Sequence, residues 1–203
     1  AGDSTRETEL LREFGPRVPD LGSIPGEYHD RLGRVTPEAT LSPLRVFLEE
    51  GGSIVTIGGS TALGKALGLP LKNQLVKDGK QLSREEYYVP GSILQVRVDN
   101  SRLVASGVPM DLPVSFNNSP VFNSSALQMK DNDAIAVQPL AWFDRDNPLI
   151  SGWAWGQKHL EDGVTMAEAQ IGQGMLYLFG PLITRRAQPH GTFKFLFNAI
   201  ALS

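Results

Sequence analysis

The chain has 203 residues, of which 41% are hydrophobic, 20% are charged and none is cysteine. These values are typical of a globular domain with a sizeable core, and they exclude wholesale disorder, a collagen-like repeat and a coiled coil. The lack of cysteine excludes disulfides, Cys-ligated zinc, iron–sulfur clusters and a thiol nucleophile. A formal net charge of −3 disfavours nucleic-acid binding, which usually depends on a basic surface patch. No apolar run approaches the ~18 residues that a membrane-spanning helix needs.

The N-terminal residues differ in composition from the rest of the chain. Residues 1–35 are rich in charge, proline and glycine, which predicts an irregular arm. Residues 36–203 contain the periodic apolar segments and are predicted to form one α/β domain. The chain begins with Ala1-Gly2 rather than with methionine, so we expect it to be an excised C-terminal fragment of a larger protein.

The first half of the domain alternates helices with a short apolar strand. Thr36-Pro37 and Ser42-Pro43 are both typical helix starts, and the helix is predicted to end at the next glycine pair. Residues 53–57 follow as an apolar run that is typical of a strand buried on both faces. Gly58-Gly59-Ser60-Thr61 then turns sharply, and residues 62–67 are again helix formers. This order predicts a mostly parallel sheet with the 53–57 strand at its centre.

The second half of the domain is richer in strand patterns. Residues 93–99 alternate with period two, which predicts a strand with one exposed face. Residues 164–169 and 175–179 flank Gly172-Gln173-Gly174, and a glycine turn between two apolar runs predicts an antiparallel hairpin.

The last element is predicted to be a helix that begins at Thr192, a good N-cap residue. Its predicted core face consists of four large apolar residues at helical spacing, which are Phe193, Leu196, Phe197 and Ile200. Because each buried side chain of this size contributes about 1.5–3 kcal/mol, we expect this helix to be central to the stability of the domain.

The turn after the first strand is the most informative segment for function. Ligands of α/β folds bind at the carboxyl ends of the strands, and a sharp glycine turn there exposes its residues. Ser60 lies in that turn and is the one attractive nucleophile candidate. The segment departs from the G-x-S-x-G elbow because Ala62 stands in place of the second glycine. We favour the alternative that the Ser60 hydroxyl caps the following helix.

The histidines of the chain are His29, His159 and His190. None has the spacing to other ligands that a peptidase zinc site requires, so the sequence predicts no metal and no cofactor in this chain. His190 precedes the last helix, where it either faces a ligand crevice or bonds to the local backbone. We favour the backbone interpretation.

Trp153 and Trp155 alternate along one segment. The simpler interpretation is that one indole packs while the other is partly exposed, and the alternative is a platform for a sugar or a peptide. The candidate ligand crevice predicted from the sequence comprises Gly58, Gly59, Ser60, Thr61, Trp155, Arg186 and His190.

Five segments resemble, in the same order, the C-terminal region of a group of bacterial zinc carboxypeptidase-like proteins. They are residues 50–63, 88–94, 116–122, 151–156 and 179–194. In that group a zinc peptidase domain is followed by a domain similar to class I glutamine amidotransferases. The resemblance extends over residues 25–203, and it is to the second domain only.

The resemblance implies a flavodoxin-like three-layer α/β sandwich, with a mostly parallel sheet and an antiparallel hairpin near the C-terminus. It also implies that zinc belongs to an upstream peptidase domain, that this domain is the partner of the chain, and that the protein is periplasmic or secreted. Two departures from the family pattern remove the glutaminase chemistry. Gly58 stands where an amidotransferase has its cysteine, and Gly180-Pro181-Leu182 stands where its His-x-Glu pair is expected.

From the departures and the resemblance together, we expect a non-catalytic accessory domain of a zinc carboxypeptidase-like protein. A first alternative is a module that binds cell-wall sugar or peptide through Trp153, Trp155 and Arg186.

A second alternative is a serine hydrolase. It would use Ser60 and His190 with an acid such as Glu168 or Asp144, provided that the fold brings them together.

Overall fold

The computed structural model describes residues 21–31, 37–127 and 135–203. The chain divides into two compact units, Ala1–Val46 and Phe47–Ser203.

Short helical turns make up the described part of the first unit. Leu21–Ser23 and Gly26–Arg31 are 3-10 helices, and Pro37–Leu41 is a π-helical turn. Of the predicted irregular arm, residues 1–20 and 32–35 lie outside the described residues.

Helices and strands alternate along the described residues from position 42 onwards. The α-helices are α1 (Ser42–Glu49), which begins in the first unit and ends in the second, α2 (Ala62–Ala66), α3 (Ser124–Leu127) and α4 (His190–Ala201). The strands are β1 (Ser53–Ile57), β2 (Val76–Lys77), β3 (Lys80–Gln81), β4 (Ser92–Val98), β5 (Asp111–Phe116), β6 (Phe122–Asn123), β7 (Val137–Trp142), β8 (Leu149–Ser151), β9 (Gly163–Ile171) and β10 (Gly174–Phe179). No helix in this part of the chain has the length and apolarity to cross a membrane.

Eight of the strands form one sheet in the order β1-β10-β9-β7-β4-β5, in which β6 also pairs with β9 and β8 with β4. β1 and β10 are parallel, and the other pairs in this sheet are antiparallel. The domain is therefore a mixed α/β fold, and the prediction of a mostly parallel sheet is wrong. The helix–strand alternation that suggested parallel pairing ends with α2. Among the later neighbours, β9 and β10 are joined by a two-residue turn, which permits antiparallel pairing alone, whereas parallel neighbours need a crossover of a dozen or more residues.

β1 lies at one end of the sheet rather than at its centre. Among the described residues it pairs with β10 alone, so the prediction of a central strand is wrong. Its apolar character has a different cause: Ile54 packs against the core on one face of the sheet, and Val55 and Ile57 pack against the core on the other face. An apolar run therefore indicates that both faces of a strand are covered. It does not indicate that the strand has a neighbour on both edges.

The sheet separates two apolar cores, because side chains alternate between the faces of each strand. On one face, Phe195 of α4 packs against Phe179 of β10, with ring centroids 5.5 Å apart. On the other face, Leu178 of β10 and Leu48 of α1 belong to the second core. α2 approaches this face closely, since a Cβ added at Gly64 would lie 3.1 Å from a Leu178 methyl carbon. Helices therefore cover both faces.

The predicted hairpin between β9 and β10 is confirmed. The strands pair antiparallel from Gly174↔Ile171 onwards, and Gly172 and Gln173 form the turn. Gly172 has φ +60°, and a Cβ there would lie 2.6 Å from the Cα atom of Glu49. Both the backbone conformation and the close approach of the chain after α1 require glycine at this position.

α4 is a helix as predicted, but it turns a different face to the core. Its buried residues are Thr192, Phe195 and Ala199, whereas Phe197 is 63% exposed and Ile200 is 59% exposed. The helix also begins before Thr192, whose hydroxyl donates to backbone carbonyls instead of capping the helix. The hydrophobic pattern predicts that the face with the largest apolar residues is buried. The stripe that meets the sheet has smaller residues: Phe195 and Ala199 belong to the core, and Leu196 packs against it.

Tyr87 is buried, and among the described residues its hydroxyl has no hydrogen-bond partner. Burial raises the pKa of this phenol well above its usual value of 10.0. In the unfolded chain Tyr87 ionises near pH 10, whereas in the folded chain it stays protonated. Its contribution to stability is therefore complete below about pH 10 and declines as the pH rises further.

Tyr87→Phe is expected to leave the free energy of unfolding at pH 7 unchanged or to raise it by up to ~1 kcal/mol, because an unpaired buried hydroxyl is removed. The variant should also lose less stability than the wild type between pH 7 and about pH 10.5. Urea unfolding at both pH values measures this, with Tyr28→Phe as the control at an exposed position. Equal pH dependence in the wild type and Tyr87→Phe would contradict the assignment.

Candidate functional site

The turn after β1 is a single 3-10 turn that leads directly into α2. It spans Gly58–Thr61 and begins where the backbone of Gly58 adopts φ +62°. The Thr61 hydroxyl donates to the Gly58 carbonyl at 2.8 Å, which closes the turn from inside. Gly58 and Thr61 are buried, whereas Gly59 and Ser60 are exposed.

The Ser60 hydroxyl is engaged by the end of β1. It accepts a hydrogen bond from the Ile57 N–H at 2.8 Å and donates one to the Ile57 carbonyl, also at 2.8 Å. Both bonds reach back to the end of β1 and neither reaches an N–H of α2, so the predicted cap on the following helix is wrong. The proton that a catalytic base would have to remove is thus already directed to the backbone.

The parallel pairing of β1 and β10 brings a second segment beside this turn. Ile57 is in register with Phe179, so both strands end at the same edge of the sheet. Leu182, which follows β10, comes so close that a Cβ added at Gly58 would lie 3.0 Å from one of its methyl carbons. The segment that replaces the expected His-x-Glu pair thus presents an apolar side chain at the turn.

Arg186 lies between β10 and α4, and His190 is the first residue of α4. The His190 ring nitrogen Nε2 is 3.1 Å from the Ala187 carbonyl oxygen, and the ring lies 5.5 Å from that of Phe193. Arg186 is exposed and has φ +49°, an uncommon backbone conformation for an arginine. Within the described residues, neither side chain forms a hydrogen bond to the turn after β1.

The two candidate acids are paired with arginines. Glu168 of β9 accepts hydrogen bonds from Arg102, and Asp144 accepts one from Arg145 at 2.9 Å. The hydrogen bond from Arg145 lowers the pKa of Asp144. No acid of the described chain is therefore seen to orient the His190 ring, as a catalytic triad requires.

Trp155 lies elsewhere in the fold. It follows β8, which pairs with β4, and three strands separate β4 from β1 in the sheet. Its backbone forms a bridge with Tyr88, and its indole N–H donates to the Glu85 carbonyl. The seven predicted crevice residues thus fall in three places: the turn after β1, the segment from Arg186 to His190, and the region around Trp155.

Four side chains form a group that we call the aromatic surface: Arg84, Trp153 and Trp155, which are exposed, and Tyr88, which is half-buried. Trp153 and Trp155 are 53% and 54% exposed, so neither indole is a core residue. Tyr88 contacts Trp153 edge to face at 5.9 Å between ring centroids, and the Arg84 guanidinium lies 5.3 Å from the centroid of the Tyr88 ring. The sequence did not point to Arg84 or Tyr88, because only tertiary folding brings them to the tryptophans.

The backbone around the aromatic surface is firmly held. The Ser92 hydroxyl accepts from the Trp153 N–H at 3.0 Å and donates to the Trp153 carbonyl. Gly156 has φ +67°, and a Cβ there would collide with the Glu86 carbonyl oxygen. The two segments that supply the rings are therefore fixed against each other.

Metal ligands do not cluster in the described part of the chain. No group of three or more His, Asp or Glu side chains there is arranged to hold a metal ion. The structure offers no candidate cofactor site among these residues.

No protein-family model and no curated protein matches this chain. Similar solved structures include PurLQS from Thermotoga maritima, at 16% identity and a TM-score of 0.46, covering 86% of this chain and 74% of that one. They also include the β-galactosidase from Bacillus circulans sp. alkalophilus, at 13% identity and a TM-score of 0.44, covering 79% of this chain and 20% of that one. A ThuA-like protein from Bacteroides uniformis matches at 12% identity and a TM-score of 0.41, covering 80% of this chain and 62% of that one. No conclusion about activity follows from these three similarities, because each of the three TM-scores is below 0.5.

Gly58→Cys, which introduces a thiol where the sequence resemblance implies an amidotransferase nucleophile, is expected to destabilise the domain by about 1–2 kcal/mol without creating a glutaminase. The positive φ disfavours any residue with a Cβ, and the Leu182 methyl group leaves little room for it. Urea unfolding and ammonia release from glutamine measure the two effects.

Gly59→Ala is the matched control, because a Cβ there meets no atom within 4 Å and the backbone is not left-handed. It should be neutral or slightly stabilising. A stable Gly58→Cys variant that releases ammonia would show that the remaining catalytic machinery is intact.

Proposed function

We propose that this chain is a non-catalytic accessory domain of a zinc carboxypeptidase-like protein. The observation that carries the first half of the proposal is the Ser60 hydroxyl, which is bonded to the Ile57 backbone as both donor and acceptor. A side chain held in this way stabilises the turn and is poorly placed to attack a substrate.

The surroundings of Ser60 support the same function. The nucleophile position of an amidotransferase is taken by Gly58, and the neighbouring segment contributes the apolar Leu182. His190 bonds to the Ala187 carbonyl, and the two candidate acids bond to arginines. None of the groups that would generate a strong nucleophile faces Ser60 among the residues described here.

The second half of the proposal concerns the partner and rests on the sequence resemblance. We propose an upstream zinc peptidase domain as the partner, a periplasmic or secreted location, and a three-layer fold derived from class I amidotransferases. The packing of α4 on one face of the sheet and of α2 on the other supports the layered arrangement. In the derived fold only β1 and β10 keep the parallel pairing.

The proposed whole protein joins this chain to an upstream zinc peptidase domain. In that protein, Ser60→Ala is expected to leave carboxypeptidase activity unchanged, because the zinc chemistry belongs to the upstream domain. The variant should lose about 1 kcal/mol of stability, since it loses the two hydrogen bonds to the Ile57 backbone. Deletion of residues 36–203 should lower the activity or the stability of the whole protein. Peptide hydrolysis and thermal melting measure these effects.

Ser125→Ala, at an exposed position on α3, is the control for the loss of a serine hydroxyl. A fluorophosphonate probe distinguishes the hydrolase alternative. Labelling of the wild type that disappears in Ser60→Ala would overturn the non-catalytic assignment, and an upstream sequence without carboxypeptidase activity would overturn the assignment of the partner.

A second function is favoured by the aromatic surface. We propose that Trp153, Trp155 and Tyr88 bind a cell-wall sugar or peptide, because exposed indoles on a rigid backbone offer apolar faces with a polar edge. Arg84 supplies the cation that the sequence assigned to Arg186, since Arg84 is the arginine that lies over this group. This function is compatible with an accessory domain that brings a peptidase to its substrate.

Trp153→Ala and Trp155→Ala should each weaken binding to purified peptidoglycan by about tenfold, since aromatic residues dominate the binding energy of such surfaces. Sedimentation with peptidoglycan measures the bound fraction. Phe197→Ala is the control, because Phe197 is equally exposed but lies on α4. Equal binding by wild type and both tryptophan variants would exclude the aromatic surface as the site.

A further inference from the structure

A cavity of about 290 Å³ opens at the end of the sheet opposite the turn after β1. It is lined, among the described residues, by Arg102, Ala136, Gln138, Glu168, Gln170 and Met175. Gln138 of β7 is in register with Glu168 of β9, and Gln170 of β9 is in register with Met175 of β10. Three adjacent strands therefore form its floor, near the point where β9 ends and β10 begins.

The Glu168 carboxylate is the central polar group of this cavity. Its side chain is only 7% exposed, and Arg102 donates to its Oε1 atom from Nε at 2.8 Å and from Nη2. Both bonds reach the same oxygen, and Oε2 receives no hydrogen bond from the described residues. A carboxylate has about four acceptor sites, and a buried charge is costly unless they are satisfied. Oε2 is thus prepared to accept from a molecule in the cavity.

The Arg102 guanidinium offers the complementary group. It has five N–H donors, of which Glu168 uses two. The side chain is 37% exposed where it lines the cavity, so its remaining donors are accessible from solvent. The cavity therefore offers two neighbouring groups of opposite charge: Oε2 of Glu168, which can accept a hydrogen bond, and the remaining N–H groups of Arg102, which can donate.

We propose that this cavity binds a free α-amino acid. The ligand ammonium would donate to Oε2 of Glu168, and the ligand carboxylate would accept from Arg102. A zwitterion matches a cavity whose charged groups sum to zero, and hydrogen bonds between charged groups are about twice as strong as neutral ones. The volume lies just below the ~300–1,000 Å³ of ordinary ligand sites, which restricts the ligand to a small molecule. The Gln138 amide and the oxygen of the Gln170 amide, whose nitrogen donates to the Gly172 carbonyl, favour a short polar side chain.

The test is a titration of the purified chain with individual free amino acids, followed by thermal melting and calorimetry. At least one short polar amino acid should raise the Tm, whereas its N-acetylated and C-amidated forms should not, because each blocked form lacks one of the two charges. Glucose and glycerol serve as neutral polyols. Stabilisation by the polyols alone, by the blocked forms equally well, or by no compound would overturn the proposal.

Two variants locate the site. Glu168→Gln should weaken binding by about tenfold or more, since it removes the charge that holds the ammonium. Gln138→Ala lies outside the ion pair and should also weaken binding, so the site can be tested even if Glu168→Gln does not fold. Gln81→Ala on β3 is the control. Unchanged affinity in both cavity variants would place the ligand elsewhere and overturn the proposal.

Discussion

The sheet depends on strand β9. It pairs with β10 along one edge and with β7 and β6 along the other, and all its residues except Gln170 are buried. Because its side chains alternate between two cores, this one strand supports the packing on both faces of the sheet. Each large apolar side chain that it buries contributes about 1.5–3 kcal/mol, more than a typical surface ion pair. The same burial explains why its one carboxylate, Glu168, needs a charged partner, which Arg102 supplies.

The turn after β1 shows how a position suited to chemistry serves structure instead. Parallel pairing of β1 with β10 creates an edge where two strands end together, which is where α/β folds place their ligands. In this chain the Ser60 hydroxyl, the Thr61 hydroxyl and the Leu182 side chain are all used to close that turn. The Glu168–Arg102 ion pair lies at the opposite end of the sheet, and the two exposed tryptophans lie on the aromatic surface. Both regions lie away from the turn after β1.

Helix α4 shows that hydrophobic periodicity predicts a helix without determining which of its faces is buried. Two of its apolar residues, Phe197 and Ile200, remain exposed while Ala199 is buried, although burying the larger residues would remove more apolar area from water. Shape decides this choice, because the surface over Phe179 accommodates Phe195 and close approach of small residues. The Asn198 amide also donates to the carbonyls of Val104 and Ser106, which fixes the rotation of the helix.

Several features of this protein follow from the sequence by itself. The β9–β10 hairpin is determined locally, since Gly172 supplies the positive φ that the two-residue turn needs. The strand at residues 53–57, the glycine turn after it and the existence of the last helix also follow from local pattern. Tertiary structure alone decided the rest: the antiparallel pairing of the sheet, the terminal position of β1, and the face that α4 buries. It also brought Arg84 to Tyr88 and Arg102 to Glu168. These outcomes depend on contacts between residues far apart in the chain, which are selected by shape and charge, whereas hydrophobic periodicity records only which side chains avoid water.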